Sequence, residues 1–203
     1  MFITFEGIDG SGKSTQAKAL FATLEAANKP SIWTREPGGS IGAETIRKLL
    51  VKGAPDRWSA ETEILLFNAA RRDHLEKTIN PALETGTNVI CDRYVDSTRV
   101  YQGAVRADLR QVVDLMHKTM IVREADLTFI IDIDPEVSLT RGLARKSGED
   151  RFEDMGLAFQ KQLRAGFIAL AKQFPHRCHI INGAQKMDAV QRDIWAIYES
   201  VSP

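Results

Sequence analysis

The segment Gly7-Ile8-Asp9-Gly10-Ser11-Gly12-Lys13-Ser14 fits G-x-x-x-x-G-K-[ST], and no other feature of the chain limits its fold as strongly. A short β-rich run, Phe2 to Phe5, precedes it. After it, Ala17, Leu20, Phe21 and Leu24 recur at helical spacing. A strand that turns tightly into a helix aims successive backbone N–H groups and the positive helix end at one spot, and glycines let the backbone close around it. That spot suits phosphate oxygens. Gly7, Ile8, Asp9, Gly10, Ser11, Gly12, Lys13, Ser14 and Thr15 are therefore read as the wall of a nucleoside-triphosphate site, with Lys13 reaching the β- and γ-phosphates and the Ser14 hydroxyl ligating Mg²⁺.

The rest of the chain repeats this strand-then-helix order. Further β-rich runs lie at Ser31 to Thr34, Asn88 to Cys91, Leu127 to Ile133 and Cys178 to Ile181. Helical stripes occur at Phe152, Met155, Phe159, Leu163, Phe167, Leu170 and Phe174, and at Val190, Ile194, Ile197 and Val201. Such alternation predicts an α/β fold, a parallel sheet covered by helices. No repeat or linker divides the chain, so one domain over residues 1–203 is expected, with a charged excursion around Gly148, about 141–154, between two helices.

Composition removes several classes of partner. The chain has 27 Lys+Arg and 27 Asp+Glu, net charge +0, whereas a nucleic-acid or membrane-surface coat selects a basic excess. No apolar run reaches the ~18–20 residues of a membrane span, and Met1 to Glu6 have no signal-peptide pattern. Cys91 and Cys178 lie among strand-forming residues without metal-ligand spacing, which predicts buried free thiols in a reducing, cytoplasmic setting.

Other motifs narrow the chemistry. The strand ending at Cys91 runs into Asp92-Arg93, where a carboxylate holds Mg²⁺ directly or through water and the arginine holds a phosphate. The N-K-x-D element of guanine-specific switches is missing. A small-molecule kinase needs a second anion site, an acceptor pocket and a lid that excludes water. Thr34-Arg35-Glu36-Pro37-Gly38-Gly39 offers Arg35 on a constrained loop, and Phe67 and Arg71, four residues apart, put a ring and a guanidinium on one helix face.

Five ordered blocks then carry a resemblance: Phe5 to Gln16, Thr34 to Gly39, Leu66 to Arg71, Asp92-Arg93-Tyr94, and Ser97 to Gly103. Together they resemble thymidylate kinases of the bacterial type. The resemblance implies a P-loop nucleoside-monophosphate-kinase-like fold, a five-stranded parallel sheet flanked by helices with a short lid. It further implies transfer of the γ-phosphoryl of ATP to the 5′-phosphate of dTMP, Mg²⁺ as cofactor, and a homodimer. By the same resemblance Phe67 stacks on thymine, Arg71 contacts the base edge, Arg93 holds the acceptor phosphate and Tyr101 disfavours a 2′-hydroxyl. Thr98 and Gln102 fall along the base pocket, and on a helix Ser97 shares a face with Tyr101.

Some family members carry an arginine directly after the acid of the phosphate loop; this chain has Asp9-Gly10 and resembles the kind that supplies lid arginines instead, for which Arg145 and Arg151 are the candidates. Two departures stand beside the tyrosine, where Val100 is expected to tighten the sugar pocket and Arg99 to add positive charge near the acceptor. Asp9 is open to two readings, ordering the acceptor phosphate or holding an arginine such as Arg93. The segment Asn182-Gly183-Ala184 is a candidate loop beside adenine. The alternatives are a deoxynucleoside kinase acting on a 5′-hydroxyl, which needs a base at the strand end, and a nucleotide-binding module without chemistry.

Overall fold

A computed structural model of the chain describes residues 1–54, 56–106, 108–143 and 155–202. Five strands, β1 (Phe2–Glu6), β2 (Ser31–Arg35), β3 (Asn88–Asp92), β4 (Leu127–Asp132) and β5 (Cys178–Asn182), form one parallel sheet in the order β2-β3-β1-β4-β5. All five β-rich runs of the sequence are strands, within a residue at each end. β1 is central and buried at every position, as a strand covered on both faces must be. The register aligns Phe5 and Arg35 with Asp92, so the ends of β1, β2 and β3 meet at one edge of the sheet. The connections from β1 and β3 diverge there, which opens a crevice at the carboxyl ends of the strands.

Helix α1 (Lys13–Ala26) follows the phosphate loop and packs Ala17, Leu20 and Leu24 against Ile3, Phe5 and Phe129 of the sheet. α2 (Ile41–Val51) starts at Ser40, whose hydroxyl accepts from Ala43 N. α3 (Ala60–His74) starts at Ser59 in the same manner, with Glu61 and Glu63 in its first turn and Arg71, Arg72 and His74 in its last, matching the helix dipole. A π turn (Leu75–Ile79) joins it to α4 (Asn80–Glu84). α5 (Val95–Val100) likewise widens into a π turn, Tyr101–Arg106, and α6 (Arg110–Met116) into a third, His117–Ile121. α7 (Pro135–Leu143), α8 (Gly156–Gln173) and α9 (Met187–Val201) complete the covering layers.

On α8, Phe159, Leu163, Phe167 and Leu170 are core, with Met155 and Phe174 at its margin; Phe152 lies outside the described residues. On α9, Val190 and Ile194 are buried and Ile197 partly so, but Val201 is exposed and Tyr198 fills that place in the core. Both cysteines are buried and free. Among the described residues no helix is long and apolar enough to cross a membrane.

The structure corrects both expectations next to Tyr101. Arg99 brings no charge to the acceptor side: it is buried, and its guanidinium is taken up by Asp96 (2.8 Å), Asp114 (2.8 Å) and Glu124 (2.8 Å). Val100 does not border the sugar pocket either. It packs into the core beneath α8, where a Cβ on Gly166 would stand 2.8 Å from its Cγ1. Residues 99 and 100 sit on the α5 face turned away from the crevice. Arg177 joins the same cluster, donating to both oxygens of Asp96 (2.6 and 3.0 Å). Arg177→Ala would leave buried Asp96 with Arg99 alone, and urea unfolding is expected to show a loss of about 3 kcal/mol. Lys161→Ala, which removes an exposed pair with Glu136, is expected to change stability by less than about 0.5 kcal/mol.

Candidate active site

The phosphate loop curls as its glycines require. Gly7, Gly10 and Gly12 have φ of +137°, +84° and +92°. At Gly7 a Cβ would stand 2.7 Å from the Ile131 carbonyl, and at Gly10 it would collide with the Ser138 carbonyl of α7. Ser138 Oγ also donates to the Asp9 carbonyl, which fastens the loop to α7. Lys13 is buried, with Nζ 3.3 Å from Ile8 O and 3.4 Å from Asp9 Oδ1. The Ile8 side chain is core, so what it presents to the loop is backbone.

Two cavities open at this edge. The larger, about 530 Å³, is bordered by Asp9, Lys13 and Ser14 on the loop side. Arg35, Phe67 and Arg71 border it across the crevice. Asp92, Arg93, Ser97, Thr98, Tyr101 and Gln102 complete the wall. The smaller, about 410 Å³, is bordered by Gly10, Ser11, Gly12, Lys13, Ser14 and Thr15, and by Arg141, Gly183 and Gln185. Lys13 and Ser14 belong to both, so the cavities meet where a phosphate on the loop would end. Widening of α5 into a π turn does not remove Tyr101 or Gln102 from the wall.

Electrostatics centre on Asp9. Arg93 Nη2 donates to Asp9 Oδ1 (2.5 Å), and Tyr101 OH donates to Oδ2 (2.9 Å). Burial would raise the Asp9 carboxyl, but Arg93 and Lys13 outweigh it and hold the group well below the usual carboxylate range. Arg93 Nη1 donates to Gly7 O (3.1 Å) and Ser97 Oγ (2.8 Å), and its guanidinium lies 5.2 Å over the Tyr101 ring. Of the two readings of Asp9, the geometry has it holding the arginine. The Tyr101 hydroxyl faces inward to this pair while its ring meets Phe159 and Phe167 edge-on.

Arg71 is almost fully buried. Its Nε donates to Glu36 Oε2 (2.7 Å), its Nη2 to Thr98 Oγ1 (3.1 Å), and the guanidinium lies over Tyr94, 5.1 Å to the ring centroid. Nη1 is buried at the cavity wall without a partner among the described residues, an unsatisfied donor. Glu36 also meets His74 Nδ1 (3.1 Å), and His74 Nε2 meets Thr34 Oγ1 (2.7 Å), so Arg71 is set by a buried chain from β2. Gln102 donates to Glu63 Oε2 (2.8 Å). Arg35 ends β2 and is held loosely by Glu44 (3.4 Å). Asp92 Oδ1 is buried at the wall of the larger cavity without a partner among the described residues. Arg145 and Arg151 lie outside the described residues.

Sequence reasoning passed over Glu36, Trp33 and Arg47 in the larger cavity and Arg141 in the smaller. It also passed over Glu6, whose signal was a charged residue ending a strand of β-forming residues. Glu6 is fully buried, accepting from Tyr94 N (2.7 Å) and Ser97 Oγ (2.6 Å). Burial, with Asp96 nearby, raises its pKa to about 8.

A phosphate loop at the carboxyl edge of a 2-3-1-4-5 parallel sheet, with two cavities meeting at its lysine, defines a P-loop kinase of the nucleoside-monophosphate type. The sequence model of the thymidylate kinase family matches residues 5–194. Thymidylate kinases of Jannaschia sp. and Dinoroseobacter shibae are 61% and 62% identical to the chain, over 97% and 96% of it and 95% and 94% of their own lengths. The crystal structure of thymidylate kinase from Ehrlichia chaffeensis superposes with a TM-score of 0.78 at 38% identity, covering 97% of both chains. The chain belongs to the thymidylate kinase family.

Between the ordinary carboxyl range and pH 8 the folded chain keeps a proton on Glu6 that the unfolded chain has released, so this group's stabilising share is lost as pH rises. Glu6→Gln has no such proton. Its urea midpoint is expected to rise relative to the native chain between pH 5 and about pH 8.

Proposed function

We propose that this chain transfers the γ-phosphoryl group of ATP to the 5′-phosphate of dTMP, giving ADP and dTDP. The observation that carries the reading is the wall shared by the two cavities at Lys13 and Ser14, across which a triphosphate on the loop and a monophosphate at Arg93 would lie end to end. ATP lies along Gly7 to Thr15, with adenine toward Arg141 and Gly183. The acceptor lies in the larger cavity, with thymine on Phe67, its edge at Arg71 Nη1, Thr98 and Gln102, and its sugar against Tyr101. Arg93 and Arg35 hold its phosphate, and Ser97 supports Arg93.

Mg²⁺ would be held by Ser14 and Asp92, whose Oδ1 has no partner among the described residues, and would neutralise phosphate charge there. Lys13 orients the γ-phosphate, and the lid over 141–154 closes water out while Arg145 and Arg151 meet the charge of the transferring group. Residues 1–203 act as one unit in the cytoplasm, paired as a homodimer. Leu65 on α3 and Leu115 and Met120 beyond it are exposed apolar side chains available to that pairing.

A hydroxyl acceptor would need a base at this place, and Asp9, held ionised by Arg93 and Lys13, is a poor one. ADP release measured with dTMP, dUMP, dGMP and thymidine is expected to be fastest with dTMP; turnover of thymidine alone would overturn the assignment. Phe67→Ala is expected to raise KM for dTMP about tenfold, the worth of a base–aromatic stack, leaving KM for ATP unchanged. Arg151→Ala is expected to lower kcat by about tenfold or more. Light scattering should give the mass of two chains.

A further inference from the structure

Arg93 sits in an unusual backbone state. Its φ is +69°, the left-handed region that a bulky side chain rarely occupies, and it is one of three non-glycine residues there among the described ones. Two hydrogen bonds bracket it: Arg93 N donates to Phe5 O (2.9 Å), and the next amide, Tyr94 N, donates to the Glu6 carboxyl (2.7 Å). The first bond is ordinary sheet pairing. The second is made by a side chain and is lost if that side chain changes.

The other oxygen of Glu6 reaches Ser97 Oγ (2.6 Å), and Ser97 Oγ accepts from Arg93 Nη1 (2.8 Å). One fully buried carboxyl thus grips Arg93 at both ends, at the peptide that follows it and, one hydroxyl away, at the guanidinium. Glu6 borders neither cavity, so it has no route to a substrate of its own. A buried acid at the end of the central strand is costly, and among the described residues no arginine or lysine bonds to it directly.

We infer that Glu6 is the positioning residue for Arg93: it fixes the arginine's left-handed backbone and, through Ser97, its guanidinium, so that the acceptor phosphate meets a donor already in place. The inference rests on the reading of Arg93 as the phosphate arginine. Asp9 and Tyr101 hold the opposite edge of the guanidinium, from the phosphate loop and the π turn. Glu6 is the part of the frame that belongs to the sheet.

The readout is the ratio of thymidine Kd to dTMP Kd, measured by calorimetry, because the two ligands differ only in the phosphate. Arg93→Ala is expected to reduce this ratio sharply. Glu6→Ala is expected to reduce it at least about tenfold, the worth of well-placed hydrogen bonds to a charged group, with the Kd values for thymidine and a non-hydrolysable ATP analogue unchanged. Glu6→Gln keeps an acceptor for Tyr94 N and a donor for Ser97, and should recover most of the lost ratio. Ser97→Ala cuts the same link without emptying the strand end, and serves if Glu6→Ala does not fold. In the double variant the two losses should not add.

A ratio that survives Arg93→Ala overturns the placement of Arg93 at the phosphate, and the inference with it. A ratio that falls with Arg93→Ala but survives Glu6→Ala, or Ser97→Ala in its place, overturns the inference alone. So does a Glu6→Ala chain that loses thymidine and dTMP affinity in equal measure.

Discussion

The contact between Asp9 and Arg93 joins the two parts of the molecule that have to agree about where a phosphate ends. Asp9 belongs to the loop that wraps the triphosphate, and Arg93 stands at the end of β3, 84 residues away in the chain. Either group alone would be a partly buried charge lacking this counter-ion, at a cost in solvation. Paired, they offset most of that cost and set the distance between loop and strand, with Tyr101 and Lys13 as further partners of the same carboxylate. The larger cavity takes its shape from this pair, because its loop side and its β3 side are joined through it.

A parallel sheet with strands in register makes such a pair possible. Phe5, Arg35 and Asp92 lie on one line across β1, β3 and β2, so whatever follows each strand emerges at the same edge. The chain places a phosphate loop after β1, the Glu36-Pro37 turn after β2, and Arg93 after β3. Three loops with no sequence proximity become neighbours because hydrogen-bonded strands have fixed spacing. The buried chain Thr34, His74, Glu36, Arg71, Thr98 then carries this order from the sheet into α3 and α5.

Features with a local period or spacing were legible in the sequence. The five β-rich runs and the stripe on α1 emerged as read because alternation and the 3.6-residue period report burial directly. Phe67 and Arg71 fell on one cavity wall for the same reason. Arg99 and Val100 were misplaced because a spacing argument orients residues relative to one another, and only packing decides which face of α5 meets the crevice. Glu6 and Glu36 stayed hidden because their partners lie tens of residues away: 91 separate Glu6 from Ser97, and 38 separate Glu36 from His74. A fully buried acid announces itself in sequence only as a polar interruption, and its role depends on who arrives beside it.

Gly10 bears on how the two arrangements within this family relate to one another. One kind of member carries an arginine directly after the loop acid, and this chain carries glycine with φ +84° and the Ser138 carbonyl of α7 seated where a Cβ would go. An arginine could enter only if α7 withdrew, yet Ser138 also tethers α7 to the Asp9 carbonyl. A side chain at position 10 and the present seat of α7 exclude one another. The residue at position 10 is therefore tied to the seat of α7, whose far end at Arg141 borders the smaller cavity.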